Sequence, residues 1–301
     1  MQPQHPTQTK YRLAIVISGA ANLMLAVSSL YWRELRETPA LTVPAYRIIL
    51  SAIILSLLVL RPRNLEQIKH LTPKIIITHC TASFLIAINW ITFIWASING
   101  YVFESGLGYL LAPLIPIALG VLIYKERIAY KKRFTASIPF IAIILLIAFN
   151  ENLNHRTYLL IATTWGSYTY LKKTTPLNAV NGLFLETIFL TACLALAIWL
   201  LGLPIISPSE LSDRSSLLIW IAGTVSIIPL LMFSFATGKI PLALTGLIQF
   251  ILPLTLLIIG LLFNKQKIST LSLTLIFVTS SLSIALITYD MIVVARRNQE
   301  T

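Results

Sequence analysis

Ten apolar stretches recur along the chain, and each is close to the length needed to cross a lipid bilayer. A membrane-spanning helix needs about 20 consecutive apolar residues. Lipid offers no hydrogen-bond partners, so a spanning segment must satisfy its own backbone groups as a helix. We therefore predict an all-α integral membrane protein with ten transmembrane helices. The stretches are 13–31, 41–60, 75–97, 103–124, 134–149, 157–171, 178–202, 215–236, 241–263 and 268–289.

The composition indicates that lipid covers much of the surface. Hydrophobic residues make up 56% of the 301 positions and charged residues 11%, whereas soluble domains carry about 25% charged residues. The net charge of +12 comes from short basic clusters between the apolar stretches. Such clusters are typical of cytoplasmic loops rather than of a nucleic-acid-binding surface. We expect no nucleic-acid partner and no large domain outside the membrane.

The lysines and arginines of the predicted loops indicate the orientation. If the N-terminus is cytoplasmic, the inner loops and tails contain sixteen of the 23 basic residues and the outer loops contain six. An excess of Lys and Arg marks the cytoplasmic side. Both termini are therefore predicted to be cytoplasmic.

An internal repeat appears when the sequence is shifted by 140 residues. Residues 105–128 and 245–268 align without gaps and share eight of 24 positions. The two copies are the fourth and ninth predicted helices, and because they are an odd number of spans apart the second copy enters the membrane from the opposite side. We predict two inverted five-helix repeats, 1–150 and 151–301, within one membrane domain, an architecture that recurs in secondary transporters. The identical positions of the two copies include Gly106/Gly246, Pro113/Pro253, Gly120/Gly260 and Lys125/Lys265.

The matched glycines and prolines favour hinge or packing roles. Small residues allow two helices to approach closely, and a mid-helix proline breaks a backbone hydrogen bond and permits a bend. If the two halves exchange conformations, an inward-open state becomes an outward-open one, which is alternating access. A duplication kept only for packing is the alternative.

Few ionisable residues lie within the apolar stretches, and each is a functional candidate because buried charge is costly in lipid. Arg47 lies in the second stretch and Glu186 at nearly the equivalent place in the seventh. Arg47 could bind a substrate carboxylate while Glu186 faces an amine or carries a proton. Alternatively, the two residues neutralise each other, or Glu186 faces solvent-filled space without a task. Glu104 is a second proton-coupling candidate or an ordinary helix N-terminal charge, and His79 is predicted to be interfacial.

Aromatic and amide side chains provide a possible pocket lining at the repeat interface, where transporter sites form. Trp90 and Trp165 could equally belong to the aromatic belt at the membrane surface, which is the expected place of Trp32, Trp199 and Trp220. With Arg47 and Glu186, the predicted substrate-binding residues are Asn89, Trp90, Tyr109, Trp165, Tyr168 and Gln249.

Motifs for energy conversion or hydrolysis are absent from the sequence. It contains no GxxxxGK[ST], HExxH or GxSxG motif, which would indicate ATP binding, a zinc protease or a serine hydrolase. Its four histidines are scattered, so we expect no metal site, no cofactor and no enzymatic activity. The competing hypotheses are a secondary transporter, and a lipid flippase or other non-transport membrane protein.

Four segments resemble one family. They are NWITFIWASINGYVFESGLGYLLAPLIPIALGVLIYKERI at 89–128, GLIQFILPLTLLIIGLLF at 246–263, the YR pair of the second stretch and GLFLET of the seventh. Together they resemble the RarD branch of the drug/metabolite transporter superfamily, also called EamA-type permeases.

This resemblance implies a ten-helix permease of the bacterial inner (plasma) membrane with a central substrate path between two inverted repeats. Relatives are associated with export of amino acids, other metabolites or drugs. We therefore expect a small-molecule substrate that is amino-acid-like, zwitterionic or a drug, export as the direction, and possible proton coupling. The surrounding partner is membrane lipid, and the protein is expected to be a monomer or homodimer.

Overall fold

Eight of the ten apolar stretches are helical in the computed structural model, and the predicted helices at 134–149 and 268–289 lie outside the residues it describes. The described residues are 8–39, 41–123 and 153–264, with isolated positions at 125, 141, 148, 274, 277, 278, 281 and 285. These residues contain no strand, and one 3₁₀ helix spans Pro208–Glu210. The helices are α1 (Gln8–Glu34), α2 (Thr42–Val59), α3 (Pro62–Lys69), α4 (Pro73–Ile98), α5 (Val102–Leu111), α6 (Leu114–Leu122), α7 (His155–Thr174), α8 (Ala179–Leu201), α9 (Asp213–Thr237), α10 (Leu242–Ile248) and α11 (Ile251–Asn264).

Seven helical segments of the described part are long and apolar enough to cross a membrane. Large apolar side chains such as Leu57, Leu122 and Trp199 are 66–79% exposed on them, which suits contact with lipid but not with water. The chain is therefore an integral membrane protein. The seven segments are Tyr11–Glu34, Thr42–Val59, Pro73–Ile98, Val102–Leu122, Ala179–Leu201, Asp213–Thr237 and Leu242–Gly260.

Helix α7 matches the sixth apolar stretch, but it is more polar than the other long helices. It packs against α4, α5 and α6, and its buried residues run from Thr157 to Lys172. Its threonines are satisfied locally, since the hydroxyl of Thr169 donates to the Trp165 carbonyl at 2.9 Å. Neighbouring helices thus cover one face of α7, while Leu159 and Leu160 on its other face are exposed. The covered face can place polar side chains in the centre of the bundle.

Two of the predicted helices are interrupted near their middle. The fourth stretch divides into α5 and α6 at Ala112–Pro113, and the ninth divides into α10 and α11 at Gln249–Phe250. Pro253 lies in the first turn of α11, where a missing N–H breaks no helical hydrogen bond. The second break falls three residues before the position that the 140-residue shift gives for the first.

Among the predicted hinge and packing residues, Gly246 lies closest to a neighbouring helix. A Cβ there would come within 2.9 Å of the Pro113 carbonyl oxygen, whereas at Gly106 it would stand 3.4 Å from Leu257. Gly246 therefore allows α10 to touch α6, while Gly106 is less tightly packed. Pro113, Gly120, Pro253 and Gly260 are all buried.

The main helix contacts join the first part of the chain to the second. Helix α1 packs on α9 and α11, α2 on α8 and α9, α4 on α7 and α8, and α5 on α7 and α11. The α2–α9 crossing is especially close, since a Cβ on Gly223 would lie 2.5 Å from the Leu50 Cβ. The buried core, and with it any central site, lies between the two parts.

Candidate functional site

Arg47 carries a buried charge in the middle of this core. Its side chain projects from α2 and is 3% exposed. The guanidinium carbon lies 3.8 Å from the ring centroid of Trp90 and 5.1 Å from that of Trp32. Desolvated cation–π contacts are worth about 2 kcal/mol or more. The Nε atom has no hydrogen-bond partner, and no carboxylate among the described residues forms an ion pair with Arg47.

A small cavity lies against Arg47, enclosed by α1, α2, α4, α5, α7 and α11. Its free volume is about 20 Å³, which is room for about one water molecule. Arg47 is the one charged residue of its lining, so an entering group that is negatively charged would meet a cation without a competing acid. The other lining residues are Leu25, Ser28, Asn89, Trp90, Phe93, Tyr109, Trp165 and Leu252.

A hydrogen-bond network fixes the polar side chains of the lining. The hydroxyl of Tyr109 donates to Asn89 Oδ1 at 2.8 Å, and Asn89 Nδ2 donates to Thr164 Oγ1 at 3.1 Å. This network ties α4 to α5 and α7. The indole N–H of Trp165, in contrast, is buried without a hydrogen-bond partner among the described residues, so it remains available to an acceptor in the cavity.

Glu186 lies in a separate buried cluster, formed by α4, α7 and α8. Its Oε1 atom is 2.8 Å from His79 Nδ1 and 2.9 Å from Lys172 Nζ, and its Oε2 accepts a hydrogen bond from the Tyr168 hydroxyl at 3.0 Å. On the far side of the imidazole, His79 Nε2 is 2.8 Å from Thr175 Oγ1. We call His79, Lys172, Glu186, Tyr168 and Thr175 the Glu186 cluster.

The Arg47–Glu186 ion pair considered from the sequence does not form among the described residues, because Glu186 pairs with Lys172 instead. The third possibility, a solvent-facing Glu186, is also excluded, since this residue is 1% exposed. Arg47 and Glu186 therefore belong to two different sites.

Of the eight predicted binding residues, five line the cavity and three do not. Arg47, Asn89, Trp90, Tyr109 and Trp165 line it. Glu186 and Tyr168 belong to the cluster, and Tyr168 stacks on Trp165 with 5.8 Å between ring centroids. Gln249 donates to Thr169 Oγ1 at 2.8 Å and leaves its Oε1 unpaired.

Glu104 lies apart from both sites. It occupies the first turn of α5, where the helix dipole favours a negative charge. It is 7% exposed, and it belongs neither to the cavity lining nor to the Glu186 cluster.

Three buried residues differ from what the sequence suggested. Trp32 was assigned to the membrane-surface belt, and His79 to the interface, yet they are 1% and 2% exposed. Lys172 was counted among loop residues, but it is buried in the last turn of α7. The helical spacing could have indicated that Lys172 is buried, because Trp165, Tyr168 and Lys172 are three and four residues apart and so share one face of α7.

Comparison with known proteins finds transporters that are similar to this chain over most of its length. The "Uncharacterized transporter YojE" of Bacillus subtilis (strain 168) is 31% identical over 261 residues, covering 85% of this chain and 87% of its own. "Protein RarD" of Escherichia coli (strain K12) is 27% identical over 261 residues, covering 85% and 87%. The chain belongs to the RarD-type drug/metabolite transporter family.

A further relative with a transporter name and one solved structure are also similar to the chain. A protein of Vibrio cholerae serotype O1 named "Uncharacterized transporter" is 29% identical over 285 residues, covering 93% of both chains. A solved crystal structure superposes with a TM-score of 0.63 at 15% sequence identity, covering 96% of this chain and 98% of that chain. This likeness shows a shared fold. No protein-family model matches the chain.

Proposed function

We propose that this RarD-type protein is a secondary transporter for a small metabolite that carries a carboxylate. Amino-acid-like and zwitterionic compounds are the first class to test, and drugs with an equivalent anionic group are the second. Transport proceeds across the bacterial inner membrane by alternating access, with export as the direction. The relatives carry transporter names, and we assign neither a cofactor nor an enzymatic activity.

The observation that carries this proposal is the environment of Arg47. A guanidinium that is 3% exposed and lies against Trp90 has left water at a large cost. The described residues offer it aromatic faces but no carboxylate. A guanidinium binds a carboxylate through two parallel hydrogen bonds. A substrate carboxylate in the cavity would therefore complete this site.

Alternating access follows from the proposed architecture. The full bundle would contain ten helices, including 134–149 and 268–289, in two inverted repeats at 1–150 and 151–301, with both termini cytoplasmic. Interruptions near the middle of both α5–α6 and α10–α11, within three residues of matching positions under the 140-residue shift, support this arrangement. A cavity of about 20 Å³ is too small for a metabolite, so the helices must separate on one side to admit it.

The proposal places the rest of the substrate against the aromatic lining. Trp90, Phe93 and Trp165 offer π faces that suit an apolar body or an ammonium group. Asn89 and Tyr109 supply fixed polar contacts. Glu186 and Glu104 lie outside the cavity lining, so they are candidates for proton coupling rather than partners of the substrate amine.

Uptake into proteoliposomes tests the role of Arg47. Wild type is compared with Arg47→Gln and Arg47→Lys, and Arg214→Gln serves as the control because Arg214 is an exposed surface residue paired with Glu34. Each amino acid is tested beside the matched carboxylic acid without its amine and the matched amine without its carboxylate. A lost charge-assisted hydrogen bond costs about 1.5–3 kcal/mol, so Arg47→Gln should lower transport of carboxylates about tenfold to a hundredfold.

Two outcomes would contradict the proposal. One is normal carboxylate transport by a folded Arg47→Gln protein. The other is transport of the amine without its carboxylate at the rate of the complete amino acid. The direction of transport is tested separately, by measuring efflux of the transported compound from loaded cells with and without the protein. Efflux that is no faster with the protein than without it would contradict export.

A further inference from the structure

The Glu186 cluster contains an ionisable histidine, His79, in addition to the ion pair of Glu186 and Lys172. Glu186 and Lys172 form an ion pair at 2.9 Å with side chains 1% and 3% exposed, and together they are neutral. His79 is added to this pair and contacts the same carboxylate oxygen as Lys172. Gly182 makes the arrangement possible, because a Cβ there would lie 2.8 Å from His79 Cε1 and 3.1 Å from Lys172 Nζ.

The hydrogen bonds around His79 suit a neutral imidazole. Its Nδ1–H donates to the Glu186 carboxylate, so Nε2 carries a lone pair and accepts from the Thr175 hydroxyl. The Thr175 oxygen accepts in turn from the backbone N–H of Leu177 at 3.3 Å, which leaves its proton free for His79. A second proton on the imidazole would place two cations on one carboxylate oxygen and give the buried cluster a net positive charge.

An opening lies just outside the imidazole. A groove of about 470 Å³ is lined by Glu66, Gln67, His70, Ile75, Pro176 and Leu177. Ile75 precedes His79 by one helical turn on α4, and Pro176 and Leu177 directly follow Thr175 in the chain. Thr175 thus joins the groove lining through its chain neighbour Pro176 and contacts His79 Nε2, which is the nitrogen that would receive a proton.

A chain of contacts leads from the cluster to the cavity. Glu186 Oε2 accepts from the hydroxyl of Tyr168, Tyr168 stacks on Trp165, and Trp165 lines the cavity beside Arg47. All of these side chains except Glu186 and Arg47 are on α7. A change in the charge of the cluster can thus shift the helix that forms one wall of the cavity.

We propose that His79 is the site at which a proton binds to drive this transporter, entering from the groove past Thr175. This inference rests on the proposed transport function and names its coupling ion and the residue that receives it. Binding of the proton converts the neutral cluster to a cationic one, which repels Lys172 from Glu186. The contacts between α4, α7 and α8 then loosen, and this end of the bundle opens.

The groups that face His79 come from each helix packed against it. Glu186 faces it from α8, and Lys172 from α7, while Tyr168 contacts the other oxygen of Glu186. Glu66 and His70 line the groove beyond Thr175. Imidazole commonly serves as a pH-sensitive switch in proteins, so the variants below centre on His79.

Accessibility of a buried thiol tests the opening without any substrate. Cys80 and Cys193 are replaced by Ala, and Ser83→Cys is introduced; Ser83 is fully buried on α4, one turn beyond His79. Its reaction with a water-soluble methanethiosulfonate is timed at about pH 5.5 and 7.5, with and without His79→Gln. The thiol's own pH dependence cancels in this comparison.

If protonation of His79 opens the bundle, the ratio of the rate at the lower pH to the rate at the higher pH should be severalfold larger with His79 than with Gln. Equal ratios in the two proteins would overturn the proposal. His155→Gln, which alters the opposite end of α7, is the matched control, and the proposal also fails if this control removes the pH effect.

A second measurement avoids altering His79. Replacing His5, His70 and His155 by Gln leaves His79 as the sole histidine of the chain. Its ring nitrogens are followed by ¹⁵N NMR in lipid between about pH 5 and 8. A change from the neutral to the charged imidazole signal supports the proposal, and an unchanged signal over this range refutes it.

The transport assay separates this proposal from the previous one. With a transported carboxylate, His79→Gln should retain downhill exchange but lose acceleration by an imposed pH gradient. Arg47→Gln should lose both. If gradient-driven transport persists in His79→Gln, the proton site is refuted while the substrate site stands. If no carboxylate is transported, the thiol and NMR measurements still decide whether His79 binds a proton and opens the bundle.

Discussion

Removing the charge of Glu186 should destabilise the protein, and removing its partner as well should restore most of the loss. In Glu186→Gln the single amide oxygen can replace the acceptor of only one of His79 and Tyr168, and Lys172 is left as a buried cation without a counter-charge. In Glu186→Gln/Lys172→Met the ion pair is absent and no uncompensated lysine remains in the Glu186 cluster, and the methionine occupies a similar volume.

The geometry sets the size of the effect. At 2.9 Å and an effective dielectric constant near 20, the pair attracts by about 6 kcal/mol. Breaking a buried pair on one side typically costs about 3–5 kcal/mol, whereas replacing both partners by neutral groups is close to neutral. For a chain of this size, such a loss lowers the melting temperature by roughly 6–15 °C.

Thermal unfolding of purified protein in detergent measures both variants at one heating rate. We expect a large drop in the apparent Tm for Glu186→Gln and a return to within a few degrees of wild type for the double variant. The reasoning is refuted if the single variant melts within about 2 °C of wild type, which would mean that the pair is hydrated and worth less than 1 kcal/mol. It also fails if the double variant loses the sum of both single changes.

Two further variants test the packing and the surface. Gly223→Ala should lower the Tm by several degrees, because its Cβ would stand 2.5 Å from the Leu50 Cβ and force α2 away from α9. The control Gly238→Ala should leave the Tm nearly unchanged, because the nearest neighbour of its Cβ would be 3.8 Å away. Equal effects of the two substitutions would contradict the close-contact argument. Glu34→Gln should shift the Tm by less than about 2 °C, because the ion pair of Glu34 with Arg214 is exposed. A larger decrease in Tm in the same melting assay would contradict this expectation and show that the pair stabilises the α1–α9 contact.

The helices could be predicted because lipid imposes the same requirement on every spanning segment. Eight of the apolar stretches are helical, with most ends within a few residues of those predicted. The short helix α3 was missed, since its eight residues carry no spanning signal. The breaks within α5–α6 and α10–α11 were also missed, although Pro113 and Pro253 pointed to bends near them.

The candidate site could be predicted only in part. Arg47 was found because a charge inside an apolar stretch is conspicuous, and the cavity lies against it. Its aromatic partner Trp32 was not found, because tryptophan near a helix end more often belongs to the membrane surface. His79 was missed for a similar reason, being close to the start of α4.

The local sequence thus determined which segments form spanning helices, and the tertiary structure determined which side chains contact one another. The apolar stretches, the basic clusters and the repeat are all properties of neighbouring or evenly spaced residues, and they specify a helical membrane protein. The partners of a buried charge come from other helices, such as His79 and Glu186, which are 107 positions apart. Which of several polar groups contact one another depends on helix crossings set by close packing, as at Gly182 and Gly223, and this packing separated the Arg47 cavity from the Glu186 cluster.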